Sequence, residues 1–177
     1  LKTNEIHAGI VSTPLGIKEF EEEILYYEKL MVYGDNIQKI NKYKSPKELN
    51  PEKIWLLEEG NCLTDQIINV CNLKSKKTDL KLNFQPNSFE SLLNIVDELK
   101  GLTLIPELYY LDLSAQRKKK VKDFVAPYPV REISMIYFRP YAKTHLINAV
   151  SKLIINEIRP ILETFKMKNS EMKIAKI

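Results

Sequence analysis

The chain has 177 residues, of which 44% are hydrophobic and 28% are charged, and its formal net charge is +4 at pH 7. This length can bury a real core but is short for two complete domains, and so weak a positive charge does not by itself indicate a nucleic-acid-binding protein. No apolar run approaches the roughly 18 residues of a transmembrane helix, so we expect no membrane partner.

The first third of the chain alternates short apolar runs with turn signals, a pattern that predicts strands. The predicted strands are Ile6–Val11, Leu25–Tyr33 and Ile54–Leu57. Glu21-Glu22-Glu23 is expected to be a solvated stretch before the second strand, and the polar residues 35–44 are expected to form a loop or an irregular helix. Ser45-Pro46-Lys47-Glu48 predicts a helix start, because proline suits the first helical position and Glu48 can complete a capping box.

Two long segments of the remaining chain have helical periodicity. Asn87–Leu99 carries apolar residues at 89, 92, 93, 96 and 99, and Gly101 is expected to end this helix. A second helix is predicted from Thr144 to Ile158, with one apolar face formed by Leu146, Val150, Leu153, Ile154 and Ile158. Further strands are predicted at Leu80–Phe84, Leu102–Ile105 and Val130–Phe138. Strands that alternate with helices predict a parallel, doubly wound α/β fold, and the polar tail after Lys166 is expected to fray.

Both cysteines lie between Glu58 and Cys71, at the two ends of a further predicted helix. Asn61 or the loop beside it can cap this helix, so that Cys62 stands at the N-terminus, where unpaired N–H groups and the helix dipole favour an anion. Two thiols so placed suggest a reactive and a resolving cysteine. The alternative is a pair of small buried hydrophobic residues, since a nine-residue spacing fits neither a Cys-x-x-Cys motif nor a zinc site.

The segment Glu-Glu-Gly-Asn-Cys-Leu-Thr-Asp-Gln from Glu58 to Gln66, followed by the second cysteine, resembles the sensor segment of the OxyR family of LysR-type transcription regulators. That family carries Glu-Asp-Gly-His-Cys-Leu-Arg-Asp-Gln and a second cysteine at the same offset. Further matches follow in the same order at Asn87–Leu92, Gly101–Pro106 and Tyr137–Pro140.

The resemblance implies an α/β fold with two Rossmann-like lobes of the type II periplasmic-binding-protein kind, joined by two crossing strands. Residues 28–127 are then lobe II, which carries the cysteines, and residues 1–27 and 128–177 are part of lobe I. The first lobe is expected to be incomplete, and the DNA-binding winged helix-turn-helix domain to be absent. We therefore expect a piece of a longer protein, and a bacterial cytoplasmic location.

The function that the resemblance implies is peroxide sensing. By this resemblance, hydrogen peroxide is expected to oxidise Cys62 to a sulfenic acid, which then forms a disulfide with Cys71 and changes the conformation and dimer geometry. No enzyme activity, cofactor or metal is expected. The expected partners are a second copy of the regulatory domain, with a tetramer for the full-length protein, and a thiol reductant such as a glutaredoxin or thioredoxin. DNA is expected to bind only through the missing domain.

The same resemblance places Gly60, Asn61, Thr64, Asp65, Asn83 and Arg139 around the reactive thiol. Asn61, Thr64 and Asn83 replace a histidine, an arginine and a second histidine of the family. Because Asn and Thr cannot supply a cation, Arg139 is the expected positive neighbour of the thiolate.

Two other functions remain open on the sequence. A LysR-type effector domain could bind a small metabolite between its lobes, with the cysteines incidental. A thiol peroxidase is the third possibility, although no Pro-x-x-x-Thr-x-x-Cys segment precedes Cys62.

Overall fold

The protein is described by a computed structural model over residues 1, 5–34, 42–43, 45–58, 60–73, 86–138 and 144–176. The strands of this part of the chain are β1 (Ala8–Thr13), β2 (Phe20–Gly34), β3 (Lys42–Tyr43), β4 (Leu102–Pro106), β5 (Val121–Phe124), β6 (Tyr128–Phe138) and β7 (Met172–Ile174). The α-helices are α1 (Cys62–Val70), α2 (Phe89–Leu99), α3 (Glu107–Asp112), α4 (Ala115–Lys118) and α5 (Thr144–Ile158). Single 3-10 turns lie at Pro46–Glu48, Pro51–Lys53, Glu163–Lys166 and Asn169–Glu171.

Two long strands, β2 and β6, organise the fold. The first part of β2, Phe20–Lys29, pairs antiparallel with β6, and its second part, Leu30–Gly34, pairs antiparallel with β4. The strand order is β1-β6-β2-β5-β3, with β4 joined to β2 and β7 joined to β6. The parallel pairings in the described part are β3 with β5, β6 with β7, and an isolated bridge from Ile54 to Leu102. The alternation of strands and helices thus predicted the α/β class correctly, but not the direction in which the long strands pair.

The apolar side chains form two separate clusters along these strands. The larger cluster collects the second part of β2 and the buried faces of α1, α2, β4 and β5, and it includes Ala175 near the C-terminus. The smaller cluster consists of Leu25, Met135 and Ile147, with half-buried neighbours on β1, β6 and α5. Because β2 and β6 run between the clusters, each strand is shared by both cores.

Charged side chains are buried where β2 passes from one cluster to the other. Lys29 is only 2% exposed, and its Nζ donates to Asp123 at 2.8 Å and to Glu163 at 2.7 Å. The neighbouring Glu28 is paired with Arg131 at 3.3 Å. A buried ion keeps its charge only when its partners replace water, so these contacts tie β5, β6 and the turn at Glu163 to one point of β2.

Several predicted elements of the first half differ from the observed ones. Glu21–Glu23 lies inside β2, because its backbone pairs with β6. Ile54–Leu57 is not a strand, since Ile54 alone forms a bridge there. The helix predicted at Ser45 is a single 3-10 turn that a second turn, starting at Pro51, follows directly. The predicted strand Leu80–Phe84 and most of the 35–44 loop lie outside the described residues.

The two long helices are observed close to their predicted bounds, but the residue that ends α2 differs from the predicted one. Ser88 caps α2, and Lys100, in the left-handed conformation with φ of 52°, ends it one residue before Gly101. Gly101 is required for a different reason, because a Cβ there would collide with the Trp55 side chain. The prediction that the tail frays is wrong: residues Met172–Ile174 form β7, whose backbone pairs with β6.

Candidate redox site

The helix that carries both cysteines is capped firmly at its N-terminus. Gly60 adopts φ of 87°, a left-handed conformation that costs glycine little, and turns the chain into the helix. The Asn61 side chain accepts a hydrogen bond from the Leu63 N–H at 3.0 Å, and its backbone carbonyl accepts from the Thr64 N–H at 2.8 Å. The predicted cap is therefore confirmed, and the Asn61 amide oxygen is already engaged within the chain.

Cys62 is the first residue of α1, as predicted. It is a free cysteine of intermediate exposure, so it is not enclosed in the apolar core as Cys71 is. At this position the backbone N–H groups of the first turn and the helix dipole stabilise negative charge. The first turn of α1 is therefore a favourable position for an anionic group.

Cys71 has the opposite environment at the far end of the same helix. It is a free cysteine, 5% exposed, and it belongs to the larger apolar cluster. Burial raises the pKa of its thiol to about 12, because the thiolate cannot be solvated there. Cys71 is thus a neutral thiol at physiological pH.

A Schellman motif closes α1 at Cys71. Asn72 adopts φ of 55°, and the backbone N–H groups of Asn72 and Leu73 donate to the carbonyls of Asn69 and Ile68 at 3.3 and 2.8 Å. The helix is therefore defined at both ends, and Asn72 accepts a backbone conformation that glycine would adopt more easily.

The helix holds its two thiols apart. Nine residues at a rise of about 1.5 Å place the Cα atoms of Cys62 and Cys71 roughly 13.5 Å apart along the axis. A disulfide requires Cα atoms within about 7 Å. The two cysteines cannot be joined while α1 is intact.

The other residues predicted around Cys62 have different environments. Gly60 and Asp65 are exposed, whereas Thr64 is buried and its hydroxyl donates to the Leu57 carbonyl at 3.1 Å. The Thr64 hydroxyl thus fixes α1 against the preceding segment instead of presenting its proton to a ligand. Asn83 and Arg139 lie outside the described residues, so their predicted roles remain predictions.

Two hydrogen bonds from α1 to residues 175 and 176 were not predicted from the sequence. Gln66 is 0% exposed, and its Nε2 donates to the carbonyl of Ala175 at 3.1 Å. Asn69 donates to the carbonyl of Lys176 at 3.3 Å. The sequence feature that could have indicated the Gln66 contact is the position of this glutamine between Leu63 and Ile67 on the buried face of the helix, where an uncharged polar side chain needs a hydrogen-bond partner.

No three His, Cys, Asp or Glu side chains lie close enough to hold a metal ion among the residues that the structure describes. No helix in this part of the chain is long and apolar enough to cross a membrane.

Comparison with known proteins agrees with the fold and with the sequence resemblance. The family model of the LysR substrate binding domain matches residues 1–158. The hydrogen peroxide-inducible genes activator of Haemophilus influenzae is 27% identical over 168 residues, which cover 94% of this chain and 55% of the relative. The transcriptional dual regulator OxyR of Escherichia coli is 30% identical over 121 residues, which cover 67% of this chain and 37% of the relative. The chain spans about half the length of the first of these relatives.

Solved structures give the same result. OxyR from Porphyromonas gingivalis superposes with a TM-score of 0.81 and 25% identity, covering 99% of this chain and 79% of that chain. The reduced OxyR regulatory domain from Pseudomonas aeruginosa gives a TM-score of 0.70 with 21% identity, over 88% of this chain and 73% of that chain. The expected periplasmic-binding-protein-like fold is confirmed. The chain belongs to the family of LysR substrate-binding domains, and the relatives it resembles are OxyR-like regulators.

Proposed function

We propose that this chain is the redox-sensing regulatory part of a hydrogen-peroxide-responsive transcription regulator. One observation carries the proposal: a free, partly exposed thiol stands at the capped N-terminus of α1, and a free, buried thiol stands at the other end of the same helix. The names of the relatives, peroxide-inducible gene activators and OxyR, support the same assignment.

The chemistry has two balanced steps. The Cys62 sulfur attacks one oxygen of hydrogen peroxide, giving a sulfenic acid and releasing one water. The Cys71 sulfur then attacks the Cys62 sulfur, so that an S–S bond forms and the sulfenic oxygen leaves as a second water. The first step uses the partly exposed thiol of Cys62, and the second requires Cys71 to leave its buried site. Peroxide is reduced and the two thiols are oxidised.

The second step needs a change of conformation. Because α1 separates the two Cα atoms by roughly 13.5 Å, part of residues 63–70 must unwind before the sulfurs meet. Thr64, Asp65 and Asn69 are mediocre helix formers, and the β-branched Ile67 and Ile68 also favour helix less than alanine or leucine does. Peroxide reduction supplies the driving force, and the unwound segment changes the surface around the larger apolar cluster.

Titration of the reduced protein with hydrogen peroxide tests this proposal. We expect one equivalent to be consumed per chain, with mass spectrometry showing a Cys62–Cys71 disulfide. The matched variants Cys62→Ser and Cys71→Ser should give no disulfide, and only Cys71→Ser should accumulate the sulfenic acid. Consumption of many equivalents in the presence of reductant would indicate a thiol peroxidase instead. Unchanged thiols after the dose would favour a metabolite-binding effector domain.

We also propose the division into lobes that the resemblance implied, with residues 28–127 as lobe II and residues 1–27 and 128–177 as part of lobe I. The two separate apolar clusters support it, since all members of the larger cluster except Ala175 fall between Leu30 and Phe124. β2 and β6 are then the two crossing strands. Ala175 is the exception, because the end of the chain returns to lobe II.

A homodimer through α5 is part of the same proposal. Leu146, Val150 and Leu153 are exposed on one face of this helix, with Leu153 64% exposed, and they form an apolar surface that a second copy can cover. The other long helix, α2, offers no comparable surface, because most of its apolar face is buried in the larger cluster. Leu153→Glu should shift a dimer to a monomer in sedimentation, whereas the neighbouring exposed Lys152→Glu should not. A monomer at high concentration of the unmodified chain would contradict the dimer.

The remaining partners concern the whole regulator. DNA binding, a tetrameric assembly and a cytoplasmic location are proposed for a regulator of the length of the Haemophilus influenzae relative, about half of which this chain matches. A glutaredoxin or thioredoxin is proposed to reduce the disulfide, since thiol–disulfide exchange with a dithiol protein restores both cysteines. Recovery of free thiols with either reductant in a coupled assay is the expected result.

A further inference from the structure

The C-terminal segment, residues 172–176, is bound on two sides. Its strand β7 pairs in parallel with the start of β6, where Tyr128 faces Met172 and Val130 faces Ile174. The Ala175 N–H donates to the Val130 carbonyl at 2.7 Å. The Ala175 side chain is fully buried in the larger apolar cluster, to which the buried residues Leu63 and Ile67 of α1 also belong.

The other side of this segment is bound by the cysteine-bearing helix. Gln66 donates to the Ala175 carbonyl at 3.1 Å, and Asn69 donates to the Lys176 carbonyl at 3.3 Å. The Gln66 Oε1 is buried and has no partner among the described residues. A fully buried amide that makes a single hydrogen bond depends on that bond, so Gln66 stabilises the docked segment only while α1 keeps its present position.

We infer that formation of the Cys62–Cys71 disulfide releases the C-terminal segment from the protein core. The inference rests on the proposed function, because both donors lie within residues 63–70, the stretch that must unwind. When Gln66 and Asn69 move, the Ala175 carbonyl loses its buried partner, and an unpaired buried carbonyl is unfavourable. The segment is then held by its short pairing with β6 and by the burial of the Ala175 side chain, without a hydrogen bond from α1, and its release uncovers the backbone edge of β6 at Tyr128–Val130.

Thermodynamic linkage makes the effect reciprocal. If the docked segment binds the helical form of α1 better than the unwound form, then weakening the docking must favour unwinding and disulfide closure to the same extent. Because unwinding must precede the attack of Cys71 on Cys62, the docked C-terminal segment slows the second oxidation step and leaves the first step, at the partly exposed Cys62, unaffected.

Hydrogen exchange of the whole chain tests the release. Exchange is compared between reduced and oxidised protein over residues 169–176, with β1 as an internal control, while mass spectrometry measures the disulfide in the same samples. We expect at least about a tenfold loss of protection at 172–176 on oxidation, and none at β1. A complete disulfide with unchanged protection at 172–176 overturns the inference but leaves the proposed function intact. If peroxide forms no disulfide, the proposed function fails, and the same comparison is made after oxidation with diamide.

Matched variants test the reciprocal effect. Ala175→Glu places a charge where the side chain is fully buried, whereas Ile174→Glu places the same charge on an exposed neighbour. We expect Ala175→Glu to close the disulfide several-fold faster with an unchanged rate of sulfenic acid formation, and Ile174→Glu to behave like the original protein. Equal closure rates in all three overturn the inference. Gln66→Met, which keeps the side-chain size but removes the donor, should lower protection at 172–176 in the reduced protein, and unchanged protection there also counts against it.

Discussion

Replacing Ile67 by alanine should shift the thiol–disulfide equilibrium of this protein towards the disulfide. Ile67 is 1% exposed and lies at the centre of α1, midway between the two cysteines. In the reduced form its side chain packs in the larger apolar cluster. If oxidation unwinds this part of α1, the same contacts are already absent in the oxidised form, so the substitution destabilises the reduced form alone.

The magnitude follows from packing energetics. Truncating a buried isoleucine to alanine costs about 2–5 kcal/mol, and a middle value of about 3 kcal/mol is appropriate for a fully buried site. For a two-electron couple about 30 mV corresponds to about 1.4 kcal/mol, so the reduction potential should become more negative by about 65 mV. The potential is measured by equilibrating the protein in dithiol redox buffers, trapping free thiols by alkylation and counting them by mass.

Leu92→Ala is the matched control. Leu92 is fully buried in the same cluster but lies on α2, which is outside the segment that must unwind. It should lower the unfolding free energy by a comparable amount and leave the potential nearly unchanged. If Ile67→Ala shifts the potential no more than Leu92→Ala does, α1 does not lose its core contacts on oxidation, and the reasoning is refuted.

Three other predictions concern stability. Because burial raises the pKa of Cys71 to about 12, the folded protein holds this proton more tightly than the unfolded chain. The resulting stabilisation is complete below about pH 8.5 and is lost as the pH rises towards 12. Between these two pH values the unfolding free energy should therefore fall less steeply with pH in Cys71→Ala than in the unmodified protein. Asn72→Ala should lower the unfolding free energy measured in urea by about 1 kcal/mol, because φ is 55° at this position, whereas Asn72→Gly should leave it unchanged. Equal unfolding free energies for the two variants would contradict the left-handed helix end described above. Lys29→Met leaves Asp123 without its buried cation and should cost about 3 kcal/mol, while Lys122→Met on β5 should stay within about 0.5 kcal/mol. If Lys29→Met lowers the unfolding free energy no more than Lys122→Met does, the Lys29 ion pairs do not stabilise the fold.

Local sequence signals determined the parts of this protein that depend on nearest neighbours along the chain. The helix from Cys62 to Val70 follows from the cap at Asn61 and the spacing of Leu63, Ile67 and Val70, because capping and helical periodicity act within a few residues. The same local logic fixed the two long helices and the buried strand after Gly101. The position of each cysteine on its helix was therefore predictable, and so was the distance between them.

Contacts between distant segments could be decided only by the tertiary structure. Whether β2 and β6 run antiparallel depends on where the chain returns, and no short window of sequence records this. The tail after Lys166 has too few apolar residues to predict a strand, yet its backbone finds partners on β6 and on Gln66 and Asn69. The N–H and C=O groups of the tail form hydrogen bonds with the strand edge and side chains that lie next to them, and these partners come together only when the chain has folded. The positions of the two cysteines on α1 were thus evident from the sequence, while the C-terminal segment that hydrogen-bonds to this helix was not.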